Sequence, residues 1–160
     1  MYCNIDDLEQ FSKFSKNMNL TDERVEQLFL VCLKFDSFMV AFYLSNTYNI
    51  KWNAKVIEQL NTSIRESQWY FELKLYFVRQ SFIFLNVAQM DDLLSLMETI
   101  FNVNNPRNHP LVNCYNPVKC SMLVYEICWN IQQKNIYSLK RKCDSIMTYL
   151  KQSLDKYFNA

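Results

Sequence analysis

The chain contains no glycine among its 160 residues. Glycine adopts positive φ angles without steric cost and allows the backbone to approach a bound phosphate closely. Glycine-rich nucleotide-binding loops and tight two-residue hairpins both depend on that property. The absence of glycine therefore argues against nucleotide-binding α/β folds and against meandering β-sheets, and it favours an all-α fold.

Helices in such a chain must end without the glycine that commonly follows the last turn in a left-handed conformation. Asparagine is the residue that tolerates this conformation next best. Four asparagines follow runs with helical periodicity, and we predict that they end helices: Asn17, Asn46, Asn86 and Asn102.

Apolar residues recur with a helical rather than an alternating period along most of the chain. The helical runs occupy residues 5–17, 21–35, 36–46, 53–66, 67–86, 90–102, 117–133 and 135–158. Thr21 and Pro117 suit helix starts, and acidic pairs stand at the beginning of several runs. The run 67–86 also fits two strands, and the last run fits one helix or two broken near Asp144. We predict seven or eight helices in one domain, residues 1–160, packed as antiparallel hairpins in a TPR-like stack or an irregular bundle.

Composition limits the classes of function that remain. Half of the residues are apolar and 16% are aromatic, which predicts a packed core. A net charge of +1 provides no overall field that would attract nucleic acid or a membrane surface. No apolar run approaches the ~18 residues of a membrane span, and the first ten residues lack the pattern of a signal peptide. The six cysteines form no CxxC pair, so we expect reduced thiols in an intracellular protein, nuclear or cytoplasmic and not secreted.

Residues 104–117 hold the only histidine and all three prolines. Each proline pushes the residue before it out of the α region, so we predict a loop. A metal site built from His109, Cys114 and Cys120 lacks the paired spacing of structural zinc ligands. A thiol hydrolase that uses Cys114 or Cys120 with His109 is an alternative, but no local segment supplies an oxyanion hole. We expect no catalysis, no metal and no cofactor.

Basic residues are concentrated once, at Lys140, Arg141 and Lys142. Three adjacent residues point around a helix rather than along one side, which favours an ordinary solvated surface. Contact of these residues with phosphate or nucleic acid is the alternative.

The second helical run has more apolar residues than one buried stripe accommodates, because residues 28–33 are all apolar. The long run 67–86 has a similar surplus. Large exposed apolar grooves are typical of partner-binding sites, often for an amphipathic helix. The alternative is that both helices are central to the core.

Five short motifs occur in the order LTDERVEQLFLV (20–31), FYLS (42–45), QMDDLLSLME (89–98), NHP (108–110) and IYSLKRK (136–142). Their order resembles that of the SIX domain, the helical interaction module of sine oculis-type transcription factors. The resemblance covers residues 20 to about 142. The chain lacks the glycines and the tryptophan–aspartate–glycine–glutamate signature of that family, and no homeodomain pattern follows.

The resemblance implies recognition of a protein partner without autonomous reading of DNA. In the SIX family the first helix of the domain receives a helix from a coactivator, and by position the groove here would involve Val25, Leu28, Phe29 and Cys32. We therefore expect a non-enzymatic adaptor in a transcription-related complex. A viral-type helical bundle that sequesters host death or signalling factors is the runner-up, and a homodimer is compatible with either interpretation.

Overall fold

The computed structural model of the chain describes residues 9–10, 12–13, 19–66, 70–101 and 116–158, with side chains described as far as residue 155. Seven α-helices lie fully within these residues, which contain no strand. The helices are α1 (Asp22–Lys34), α2 (Phe38–Thr47), α3 (Ala54–Glu66), α4 (Phe71–Ser81), α5 (Val87–Phe101), α6 (Pro117–Gln132) and α7 (Tyr137–Phe158), with a 3₁₀ helix at Phe82–Phe84. The predicted all-α fold is confirmed.

The chain divides into two compact units, Met1–Tyr70 and Phe71–Ala160. Within each unit the helices pack on one another around their own apolar residues, and the single domain expected from the sequence stays a prediction. Each unit is described below by itself.

In the first unit, α1 packs against both α2 and α3. Thr21 begins α1 as predicted, because its Oγ1 accepts a hydrogen bond of 3.3 Å from the backbone N–H of Arg24. Asn53 begins α3 in the same way and also donates a hydrogen bond to the Glu26 carboxylate of α1. The core of this unit consists of Val25, Phe29, Cys32, Leu33, Phe38, Val40, Ala41, Leu44, Ile50, Val56, Ile57, Leu60 and Ile64.

In the second unit the packed neighbours are α4 with α6, α6 with α7, and α7 with α5. Aromatic rings connect these helices: Phe71 meets Phe101 edge to face at 6.1 Å, and Phe101 stacks on Tyr149 at 5.9 Å between ring centres. The helices α6 and α7 each have a packed neighbour on two sides.

Helices end here without glycine, and neither of the two predicted asparagines that the structure describes ends one. Positive φ angles occur at Asp36, Tyr70 and Asn135 among the described residues. Asn46 lies inside α2 and Asn86 precedes a helix, so these two predictions were wrong, while Asn17 and Asn102 lie outside the described residues. A helix that ends in a left-handed turn needs a residue that tolerates positive φ, but which residue stands there depends on where packing ends the helix.

The end of α1 shows how the chain replaces glycine. Asp36 has a φ of 56° directly after the last turn, and the Ser37 N–H bonds back to the Cys32 carbonyl at 2.9 Å. This is the six-to-one hydrogen bond of a Schellman motif, with aspartate in the usual glycine position. The Asp36 carboxylate accepts a hydrogen bond from the Ser63 hydroxyl of α3 at 3.3 Å, which anchors the turn.

Several helix boundaries differ from the predictions. The run 67–86 forms a shorter helix, α4, followed by the 3₁₀ turn, and not strands. The helix α5 begins earlier than predicted, because Asn86 and Gln89 form a reciprocal capping box with two hydrogen bonds of 2.8 Å. Asp91 and Asp92 are therefore not in its first turn.

The last run is one continuous helix, α7, which passes through Asp144 without a break. Pro117 begins α6 as predicted, and Asn116 caps that helix by accepting a hydrogen bond of 3.1 Å from the Lys119 N–H. Most of the predicted helix 5–17 and most of the predicted loop 104–117 lie outside the described residues.

Candidate protein-interaction surface

The residues predicted to line a partner groove on α1 lie mainly inside the first unit. Phe29 and Cys32 are fully buried and Val25 is nearly so, while Leu28 is partly exposed. Phe29 meets the Trp52 ring edge to face at 5.6 Å. Three of the four predicted residues therefore belong to the core of the first unit, where α1 packs against α2 and α3, and partner binding on α1 stays a prediction.

The large apolar residues of the run 67–86 differ in exposure before and after the end of α4. Before that end, the large apolar side chains are buried; Phe71, Leu75, Phe77 and Val78 are examples. In the 3₁₀ turn that follows, Ile83 and Phe84 are exposed.

The most regular exposed apolar surface of the second unit lies on α6. Met122, Tyr125 and Trp129 are 61%, 36% and 50% exposed, although each is a large apolar side chain. Their spacing of three and four residues places them on one face of the helix, over about 10 Å of its length. We call these three residues the α6 stripe.

The opposite side of α6 holds the helix in the second unit. Its buried residues are Cys120, Ser121, Leu123, Val124, Ile127, Cys128 and Ile131. Ser121 is fully buried, and its hydroxyl has no hydrogen-bond partner among the described residues. The helix thus buries a polar side chain while it exposes three apolar ones, which is the reverse of what folding alone favours.

Charged side chains flank the α6 stripe on the side of α4. Glu126 pairs with Arg79 at 3.4 Å, and Lys119 pairs with Glu72 at 3.1 Å. The Lys119 ammonium also lies 5.2 Å from the centre of the Tyr76 ring. Hydrogen bonding to Tyr76 and to Glu72 raises the pKa of Lys119, which favours its charged form. An apolar centre with a polar rim is typical of protein interfaces.

The predicted basic cluster does not act as one group. Lys140 and Arg141 are exposed on α7. Lys142 instead bonds to the Asp91 carboxylate and to the Ser95 hydroxyl of α5, both at 2.7 Å. One of the three charges therefore joins α7 to α5 and is already paired, and phosphate contact by the other two remains a prediction.

The residues considered for metal binding or catalysis are only partly described. His109 and Cys114 lie outside the described residues, and Cys120 is buried. Cys32, Cys128 and Cys143 are also buried, and the described cysteines form no disulfide. No group of three potential metal ligands occurs in the part of the chain that the structure describes.

Comparison with known proteins identifies no relative. No family model matches the chain, and no curated protein and no solved structure is significantly similar to it. The resemblance to the SIX domain therefore stays a prediction. Within the described ranges, none of the helices combines the length and the hydrophobicity needed to cross a membrane.

The α6 stripe was not predicted from the sequence, although the sequence contains a signal for it. In the segment 117–133, apolar residues occur on more of the helix circumference than one buried face requires. The same surplus occurs in α1, where it is buried. Only the packing distinguishes the two cases.

Proposed function

We propose that this chain is a non-enzymatic interaction domain that binds an amphipathic helix of a protein partner along the α6 stripe. The observation that carries the proposal is the exposure of Met122, Tyr125 and Trp129 on one face of a helix whose buried side includes an unpaired serine hydroxyl. Departures from local folding rules of this kind concentrate at functional sites. Methionine, tyrosine and tryptophan are also enriched in protein interfaces.

A helix suits this surface better than an extended peptide does. An extended peptide gains affinity from main-chain hydrogen bonds to an exposed sheet edge, and the described residues contain no strand that could provide one. The α6 stripe is instead a ridge of side chains with helical spacing, which fits into the groove between side chains of a second helix. The charged residues beside it, Arg79, Glu126 and Lys119, would set the direction in which the partner lies.

The complex and the cellular compartment in which the chain acts are also proposals. The resemblance to the SIX domain favours a nuclear, transcription-related complex, with direct nucleic acid binding not required. The alternative is a helical bundle that sequesters death or signalling factors in the cytoplasm. Both settings use the same chemistry, namely capture of an amphipathic helix. A second copy of this chain is a further candidate partner for the α6 stripe, and the test must distinguish it from a different protein.

Binding can be tested with a displayed library of amphipathic helical peptides, screened against the full-length chain. We expect the selected peptides to share apolar residues at positions i, i+3, i+4 and i+7. Trp129→Ser should weaken their binding by about 30-fold, because truncating a central aromatic residue of an interface costs about 2 kcal/mol or more. Tyr125→Ser should give a smaller loss in the same direction.

Met39→Ser is the matched control, because Met39 is a similarly exposed apolar residue of the first unit. Equal binding by the wild type and the Trp129 variant, with both folded by circular dichroism, would contradict the proposal. Sedimentation of the wild type alone measures self-association. Proximity labelling in cells then distinguishes chromatin proteins from death-pathway factors as neighbours.

A further inference from the structure

The α6 stripe continues at lower exposure beyond both of its ends. Val118 and Gln132, which are half-buried, extend it by one turn in each direction. The outward-facing residues then follow a spacing of four, three, four and three along the helix: 118, 122, 125, 129 and 132. This is the spacing of the two core positions of a heptad, which keep one seam of a helix against a partner helix over several turns. The seam fits a second helix that runs nearly parallel or antiparallel to α6.

Two opposite charges lie beside this seam, on the side of α4. Lys119 and Glu126 are one heptad apart, and both pair with residues of α4. Their side chains are nevertheless 47% and 41% exposed, so each can contact a second charged group. On the other side of the seam, the corresponding heptad positions hold Ser121 and Cys128, which are buried. The seam is thus flanked by one cation and one anion, both on the same side.

Symmetry determines which of these residues would meet in a pair of identical chains. A two-fold axis parallel to α6 gives a parallel pair, in which the α4 side of one helix lies beside the opposite side of the other. A two-fold axis perpendicular to α6 gives an antiparallel pair, in which the α4 sides of both helices lie together. Only the antiparallel pair brings Lys119 of one chain to Glu126 of the other, and the symmetry forms this contact twice.

The apolar residues of the seam allow the same arrangement. When Met122 is level with Tyr125 of the second copy, Val118 is level with Trp129, so each large side chain meets an apolar neighbour. The two charged side chains of opposite chains then differ in height by only about 3 Å along the helix axis, which a lysine side chain can span. A two-fold interface must be complementary to itself, and this surface is so in both its apolar residues and its charges.

We propose that the α6 stripe pairs with α6 of a second copy of this chain, in an antiparallel two-fold dimer. This inference rests on the proposed function, because it names the amphipathic helix that the stripe binds. The seam from Val118 to Gln132 is only about 21 Å long, so the interface is small and the dimer dissociates on dilution. A different protein that binds the stripe must displace the second copy, and the two kinds of binding therefore exclude each other.

Sedimentation equilibrium of the full-length chain, from about 5 to 300 μM, measures the dimer. We expect the average mass to rise with concentration from that of one chain toward that of two. Trp129→Ser should weaken self-association by at least about tenfold, because the ring is lost from both chains of the interface. Met39→Ser, which removes a similarly exposed apolar residue of the first unit, is the control and should leave self-association unchanged.

Charge reversal tests the antiparallel geometry. Lys119→Glu places two carboxylates at each contact, and Glu126→Lys places two ammonium groups there. Each variant alone should therefore self-associate about tenfold more weakly than the wild type. In an equimolar mixture, every contact between the two different variants again joins a carboxylate to an ammonium group. The mixture should recover dimerisation, which also shows that both variants are folded.

A wild-type chain that stays monomeric at about 300 μM would overturn this inference. So would a dimer that Trp129→Ser leaves unchanged, or a mixture of charge variants that associates no better than either variant alone. The displayed helical peptides distinguish this inference from the proposed function. Peptides that bind a monomeric wild type through Trp129 would support the proposed function and overturn the dimer. A dimer that no peptide displaces would support the second copy and contradict a different protein as the partner.

Discussion

The helices α1 and α6 have similar apolar content but use it differently. On α1, Phe29, Cys32 and Leu33 are buried, and polar residues such as Gln27 and Lys34 occupy the exposed positions. On α6, Trp129 and Met122 are at least half exposed. Each helix packs against two neighbours, so the number of neighbours does not explain the difference. The difference lies in the residues on the outer face, which include polar side chains on α1 and large apolar side chains on α6.

This contrast shows why an apolar surplus in the sequence is an ambiguous sign of a binding site. On α1 the surplus is used for folding, since two neighbouring helices cover two faces. On α6 the outer face remains apolar after both neighbours have packed. Only an exposed apolar patch is informative about binding, since buried apolar residues are the ordinary case.

The largest expected effect comes from truncating the centre of the α1 core. Phe29→Ala should lower the free energy of unfolding by about 3–5 kcal/mol, because it removes a fully buried ring and leaves a cavity. Chemical denaturation followed by circular dichroism measures the loss. Gln27→Ala on the exposed face of α1 is the control, and a comparable loss in both variants would mean that Phe29 is not a core residue.

Matched cap variants compare the starts of the two helices. Thr21→Ala for α1 and Asn116→Ala for α6 each remove a side-chain hydrogen bond to a first-turn N–H. Each should lower the free energy of unfolding by about 1 kcal/mol. Asn46→Ala, at an exposed position inside α2, should cause no loss. A large cost at one cap alone would show that the two helices also differ at their starts.

The third prediction compares the paired and the exposed lysines of the basic run 140–142. Lys142→Met removes the ion pair with Asp91 and the hydrogen bond to Ser95. Because the pair is partly exposed, the free energy of unfolding should fall by about 1 kcal/mol or less. Lys140→Met should leave it unchanged. The thermal midpoints of the two variants provide the measurement, and equal midpoints would contradict the role assigned to Lys142.

The smallest effect on stability is expected at the α6 stripe. Trp129→Ser should change the free energy of unfolding by no more than about 0.5 kcal/mol, since the side chain is half exposed. Denaturation of this variant beside Phe29→Ala provides the measurement. A loss as large as that of Phe29→Ala would remove the contrast between the helices, because Trp129 would then belong to the core.

Local signals in the sequence were sufficient for most of the secondary structure. Thr21 and Pro117 mark helix starts through side-chain capping and a fixed φ, so α1 and α6 begin where predicted. Their effects act within one turn and need no tertiary information. The predictions failed where the decisive bond was reciprocal or distant, as in the capping box of Asn86 and in the turn at Asp36.

The candidate site was less predictable than the fold. The absence of glycine and the helical period of the apolar residues determined an all-α protein, because both act through backbone conformation. Which apolar face remains uncovered was decided only by the tertiary structure, since burial depends on neighbours that are distant in the chain. The same holds for Lys142, whose partner Asp91 lies in another helix.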